Sequence, residues 1–182
     1  MYMNTYWDGR AYLITNSKKI YMTTDVGQTW IQMNVPMEAN ILGVSVMNFH
    51  PLQTDWLIWT GSIGCASGSS GDCKVVAFYS TNHGRSWTEF ESYVRQCSWA
   101  RDKELKIDER QIICESYRDK KGNQMLGNSG NPLELVLGRN FYKDKVKLFN
   151  NVVGFARFSE YLLVAEVSRN CAAVSFGFSL LQ

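Results

Sequence analysis

Apolar residues along this chain come in short runs separated by turn chemistry, and no stretch repeats them at helical spacing for more than a turn or two. Residues 11–15 and 19–23 read as strands joined by the turn Asn16-Ser17-Lys18. Residues 30–35 alternate apolar and polar, the pattern of a half-buried outer strand, and Pro36 ends it. In residues 42–46 the larger side chains fall on one face and Gly43 and Ser45 on the other, which suits a strand crowded by its neighbours. The run Trp56-Leu57-Ile58-Trp59-Thr60-Gly61 is of the kind carried by a strand buried on both faces. Further strands are expected at 75–79, 87–94, 112–117, 146–149, 151–156 and 161–167, and at 133–137, where Leu133, Leu135 and Leu137 share a face. Residues 1–10 read as an incomplete connection, and 118–131 as a long polar loop.

Two of the turns follow one template. Thr23-Thr24-Asp25-Val26-Gly27-Gln28-Thr29-Trp30 and Ser80-Thr81-Asn82-His83-Gly84-Arg85-Ser86-Trp87 agree at five positions. Asp25 or Asn82 can accept hydrogen bonds from the backbone of the turn ahead of it. Gly27 and Gly84 supply positive φ, which a Cβ resists. The hydroxyls of Thr29 and Ser86 satisfy turn backbone, and Trp30 and Trp87 lay a large apolar body against the returning hairpin. A repeated hairpin with several short strands per unit points to a propeller or a similar array, and so to an all-β chain.

Composition narrows the function classes. Of 182 residues, 45% are hydrophobic, so the chain can bury a core, and the net charge of +2 comes from scattered Lys and Arg, which leaves no nucleic-acid footprint. No apolar run approaches the roughly 20 residues of a membrane span. The first residues lack the basic-then-apolar order of a secretory signal, and no Asn-x-Ser/Thr acceptor is present. The five cysteines are an odd number. Cys65 and Cys73 bracket a Gly/Ser-rich loop and Cys97 and Cys114 a charged stretch, so two local disulfides are expected, with Cys171 left over. Without a CxxC, and with His50 and His83 outside any ligand spacing, no metal site and no cofactor is expected. Disulfides belong to an oxidising lumen. Beside the missing signal, they lead to the expectation of a fragment of a longer secreted or luminal chain.

The template is the Asp-box of β-propeller hairpins in sialidases, sortilins and other secreted proteins. Together with Phe49-His50-Pro51, Asp55-Trp56-Leu57-Ile58-Trp59-Thr60-Gly61, Cys65, Cys73, Cys97-Ser98-Trp99-Ala100, Ile113-Cys114-Glu115-Ser116-Tyr117 and Asn151-Val152-Val153-Gly154-Phe155, it resembles the luminal domain of sortilin-type vacuolar sorting receptors, the fungal carboxypeptidase receptors above all. The resemblance implies about two to three blades of a sortilin-like β-propeller, with the ring incomplete. Units are expected at about 5–38, 39–95 and 96–150, with the start of another at 151–168. A tail over 169–182 departs from the family, as a truncated or shifted reading frame would. The resemblance further implies a receptor facing the late Golgi or endosomal lumen that binds soluble vacuolar hydrolase precursors such as carboxypeptidase. Two cut blade faces imply self-association.

No catalytic residue is expected, and the chain is read as a binding module, not an enzyme. Thr23, Asp25, Gly27, Thr29, Trp30, Ser80, Asn82, Gly84, Ser86 and Trp87 are read as structural Asp-box positions, and Trp56 and Trp59 as blade core. A Ser80/His83/Asp72 hydrolase site is disfavoured because His83 fills a variable turn slot. The nine arginines lie mostly in polar turns instead of forming the cluster a sialidase needs. Lys143, Lys145 and Lys147 read as a solvated strand face. The alternatives are a non-functional remnant of a receptor gene and a sialidase-like glycosidase.

Overall fold

The computed structural model describes all residues except 16–18, 41–43, 66–72, 102–106, 125–130, 159–160, 168–173 and 181–182. Among the described residues every named element is a β-strand, and all pairings are antiparallel. The first sheet is β1 (Tyr2–Met3), β2 (Ala11–Ile14), β3 (Ile20–Thr23) and β4 (Ile31–Met33), in that order. The second is β5 (Met47–Phe49), β6 (Leu57–Ile63), β7 (Lys74–Ser80) and β8 (Thr88–Ser92). The third runs without a break from β9 (Val94–Trp99) through β10 (Ile112–Tyr117), β11 (Leu133–Arg139), β12 (Asp144–Phe158) and β13 (Tyr161–Val167) to β14 (Val174–Leu180).

Strand periodicity explains how the sheets stack. On β6, Leu57 and Trp59 face a core shared with Tyr12, Ile20 and Met33 of the first sheet. Ile58, between them, faces a core shared with Val94, Trp99, Ile112 and Cys114 of the third. On β7, Val76 and Phe78 take the first side and Val75 and Ala77 the second. The second sheet is therefore buried on both faces, which is why its central strands read as continuous apolar runs. A third core, with Ile113, Leu135, Leu137, Val152, Leu162 and Val164, covers the far face of the third sheet. Successive antiparallel meanders stacked face to face, with sequential strands adjacent, are the blades of a partial β-propeller.

Several elements depart from the expected pattern. Tyr2–Met3 pairs with β2, so residues 1–10 contribute a strand as well as a connection. The strand expected at 42–46 begins at Met47. At Thr60 the N–H still donates to Val46 O at 2.8 Å, but its hydroxyl takes Ser45 O at 2.6 Å, so one residue further back a side chain stands in for the backbone ladder. Residues 41–43 lie outside the described set. The outer strand at 31–33 is less buried than its alternation suggests, with Ile31 64% exposed and only Met33 inside. The strands expected at 146–149 and 151–156 are one element, β12, bent where Asn151 takes φ 53° and the register shifts between Val152 and Gly154. β9 has no counterpart among the expected strands, and β14 lies in the stretch expected to depart from the family.

Candidate functional site

The two templated turns are built alike. In the first, the Thr23 hydroxyl donates to Asp25 Oδ1 at 2.8 Å and accepts from Gly27 N–H at 2.9 Å. Asp25 Oδ1 accepts from Thr29 N–H at 2.9 Å, and Oδ2 from the Thr29 hydroxyl at 2.6 Å. The Thr29 hydroxyl, then its N–H, then the Thr23 hydroxyl hold the Asp25 pKa down at about 2. In the second, Ser80 Oγ donates to Asn82 Oδ1 at 3.0 Å and accepts from Gly84 N–H at 2.9 Å. Ser86 N–H donates to Asn82 Oδ1 at 2.9 Å. The one reversal is at the last contact, where Asn82 Nδ2 donates to Ser86 Oγ at 2.8 Å. Both turns place two successive residues at positive φ, Val26 (60°) with Gly27 (85°) and His83 (59°) with Gly84 (76°).

Each turn is tied to the loop before the second strand of its own sheet, by Val26 N–H to Gly9 O at 3.1 Å and His83 N–H to Asp55 O at 2.9 Å. Those loops are capped in parallel. Asn4 Oδ1 accepts from the N–H groups of Tyr6 and Trp7, and His50 Nδ1 from those of Leu52 and Gln53. With Nδ1 accepting, His50 carries its proton on Nε2, 3.1 Å from Glu109 O. Burial lowers the His50 pKa, against the pull of Glu109. The ring is fully buried and lies edge-on to Trp56 and Trp99.

The tryptophans that close the turns differ. Trp87 crosses to the first sheet, donating its indole N–H to Asn34 O at 3.0 Å and lying 6.4 Å from Trp59. Trp30 is 39% exposed. In the third sheet the corresponding turn between β11 and β12 lacks the template. Asn140, Phe141 and Tyr142 all take positive φ there (49°, 57° and 71°), and Phe141 reaches Trp56, Tyr79 and Trp99.

Disulfides join Cys65 to Cys73 and Cys97 to Cys114. The second bridges directly opposed residues of β9 and β10. Cys171 lies outside the described residues, as does Asp72 of the disfavoured Ser/His/Asp set. Ser80 Oγ is engaged within its turn, and the His83 ring lies 3.5 Å from Arg10 Nη1. Arg95, Arg110 and Arg118 pair separately with Glu115, Asp108 and Glu134, so these three do not converge. Among the described residues no group of three His, Cys, Asp or Glu side chains is placed to hold a metal ion. Lys145 and Lys147 are exposed but paired, with Glu91 at 2.8 Å and Glu134 at 3.2 Å, and Lys145 thereby ties β12 to the second sheet.

Three features escaped sequence reasoning. Buried Gln124 accepts from Val75 N–H and donates to Val94 O, filling the gap between the second and third sheets. Glu115 is fully buried on β10 with Arg95 Nε 3.7 Å from its Oε2, and burial raises its pKa against the arginine. The third is a cleft of about 570 Å³ between the first two sheets, lined by Arg10, Met22, Thr24, residues 31–34 and residues 83–85. Its residues come from four places in the chain, so no window of sequence displays it.

The family model described as "Sortilin, neurotensin receptor 3" (Sortilin-Vps10) matches residues 1–180. Proteins named vacuolar protein sorting/targeting protein 10 are 53% identical over 166 residues in Laccaria bicolor and 49% identical over 166 residues in Mycosarcoma maydis. Each alignment covers 91% of this chain and 11% of the relative. The protein of the same name in Neosartorya fischeri is 33% identical over 88% of this chain. The chain thus spans about a tenth of the length of these relatives. A solved structure of YCF48 bound to D1 peptide overlays 92% of this chain and 51% of its own, at 10% identity and a TM-score of 0.46. The chain belongs to the Sortilin-Vps10 family.

Proposed function

We propose that this chain forms part of the luminal propeller of a vacuolar sorting receptor and is a binding module without chemistry of its own. The observation that carries this reading is the family match over residues 1–180, joined by relatives whose name is vacuolar protein sorting/targeting protein 10. The ligands are soluble vacuolar hydrolase precursors, such as carboxypeptidase, carried from the late Golgi toward the endosome and vacuole. The templated residues at 23–30 and 80–87 serve as blade corners that hold the binding surface in shape, and the two disulfides suit a luminal, oxidising setting.

The test is capture of carboxypeptidase precursor from solution by the immobilised chain, compared with mature carboxypeptidase lacking its propeptide. Selective retention of the precursor supports the reading. Equal retention of both forms refutes precursor recognition by this chain, and retention of neither above a heat-denatured control refutes it in favour of a remnant without a ligand.

A further inference from the structure

We infer that the cleft between the first and second sheets docks an extended acidic peptide segment of a partner protein. The inference rests on the cleft itself and not on the sorting role. Its charge is one-sided. Arg10, Arg85 and His83 line it, and among the described residues no carboxylate does. The carboxylate that acts on His83 is Asp55, which is outside the lining. The Arg85 guanidinium is exposed and, among the described residues, makes no hydrogen bond or ion pair. Arg10 is oriented by donating to Thr54 O beside His83 Nδ1, and among the described residues it forms no ion pair.

Shape and backbone point to the same class of ligand. Met22 and Ile31 give the cleft apolar contact surface, and Ile31 is 64% exposed. One wall is formed by residues 31–34, which hold β4, the last strand of its sheet. A last strand has a row of backbone groups free to pair with an added strand, which is how extended peptides are commonly bound. The walls are also locked to each other. Trp87 Nε1 holds Asn34 O at 3.0 Å, and Gly84 packs so closely that a Cβ would come 2.8 Å from Met33 Sδ. The site is therefore preformed, and little ordering cost opposes binding. Acidic side chains of the peptide meet Arg85 and Arg10, and apolar side chains between them rest on Met22 and Ile31.

The test uses the full chain and a fluorescein-labelled peptide of alternating Glu and Val with both ends blocked, followed by fluorescence anisotropy. Binding is expected, weakened about tenfold or more by a Gln-for-Glu peptide and by Arg85→Glu, because each removes the charge complement. The Arg85→Glu chain should instead gain affinity for a Lys-for-Glu peptide. Its melting curve should match that of the unaltered chain, since among the described residues the exposed guanidinium holds no hydrogen bond or ion pair in the fold. Equal binding of the Gln and Glu peptides, indifference to Arg85→Glu, or a cleft filled by a second copy, seen as an Arg85-dependent dimer in sedimentation, would each overturn the proposal.

Discussion

At the scale of single residues, the two templated turns form an internal comparison. Within the turn they share every hydrogen bond but one, and that one separates a carboxylate from an amide. The Asp25 pKa is held at about 2 by hydrogen bonds to its charged form. A carboxylate whose folded pKa lies below its ordinary value adds stability that is present above that ordinary value. The stability is lost as pH falls from about 4 toward 2. Asn82 does the same structural work without a charge, so Asp25→Asn should fold normally at neutral pH and lose less stability across that window than the parent. Denaturant melts of both chains at pH 6, 4 and 3 check this. Because the other acids are common to both, parallel pH curves would show that Asp25 does not drive the acid response. The hydroxyl that opens the turn is tested at Ser80, which is 1% exposed and accepts from Gly84 N–H. Ser80→Ala leaves that N–H buried without its partner and should cost about 1–3 kcal/mol in urea unfolding. Thr81→Ala, at an exposed position of the same turn, should cost little.

At the scale of elements, close packing decides which substitutions a blade tolerates. A Cβ on Gly138 of β11 would lie 2.1 Å from Tyr142 Cδ2 and 2.6 Å from Tyr142 Cα, so neither side chain nor backbone can yield. Gly138→Ala should destabilise by about 3 kcal/mol. On the neighbouring strand a Cβ at Gly154 meets, among the described residues, nothing nearer than Glu115 Oε1 at 4.0 Å, so Gly154→Ala should be neutral or slightly stabilising; thermal melts of both variants check the contrast. The same packing logic sets how far the fold could be read from sequence. β6 and β7 were legible because both faces are buried and their apolar runs are unbroken. β9 was not, because its buried residues Val94, Cys97 and Trp99 lose the two-residue period where the β9–β10 register shifts. β12 is one strand where the sequence predicts two, at 146–149 and 151–156, because the polar pair Asn150-Asn151 interrupts the apolar pattern while the backbone absorbs it as a bend. β1 is only two residues long, too short to show a period. The templated turns are local in sequence and were therefore visible. The cleft and Gln124 depend on residues far apart along the chain and were not.

At the scale of the whole molecule, the sheets differ in how they are covered. The second sheet is covered on both sides, but among the described residues the first has its core on one side only. Tyr2, Tyr12, Ile20 and Met22 point into that core, and the alternate positions Met3, Leu13 and Tyr21 face away. Met3 is 60% exposed and Leu13 38%, on a face built like those buried elsewhere in the stack. The first blade therefore offers a matching face, and its Trp30 is 39% exposed where Trp87 is seated on a neighbouring sheet. Apolar blade faces gain by stacking, since each unit buries its surface mainly against its neighbours. The isolated chain should accordingly self-associate at micromolar concentration through this face. Leu13→Glu should shift sedimentation-velocity profiles toward monomer while leaving the melting temperature nearly unchanged, because Leu13 belongs to no core in the monomer. A wild-type chain that sediments as a monodisperse monomer and melts cooperatively would show that the exposed face drives no association. A Leu13→Glu chain that remains associated would place the contact on another face.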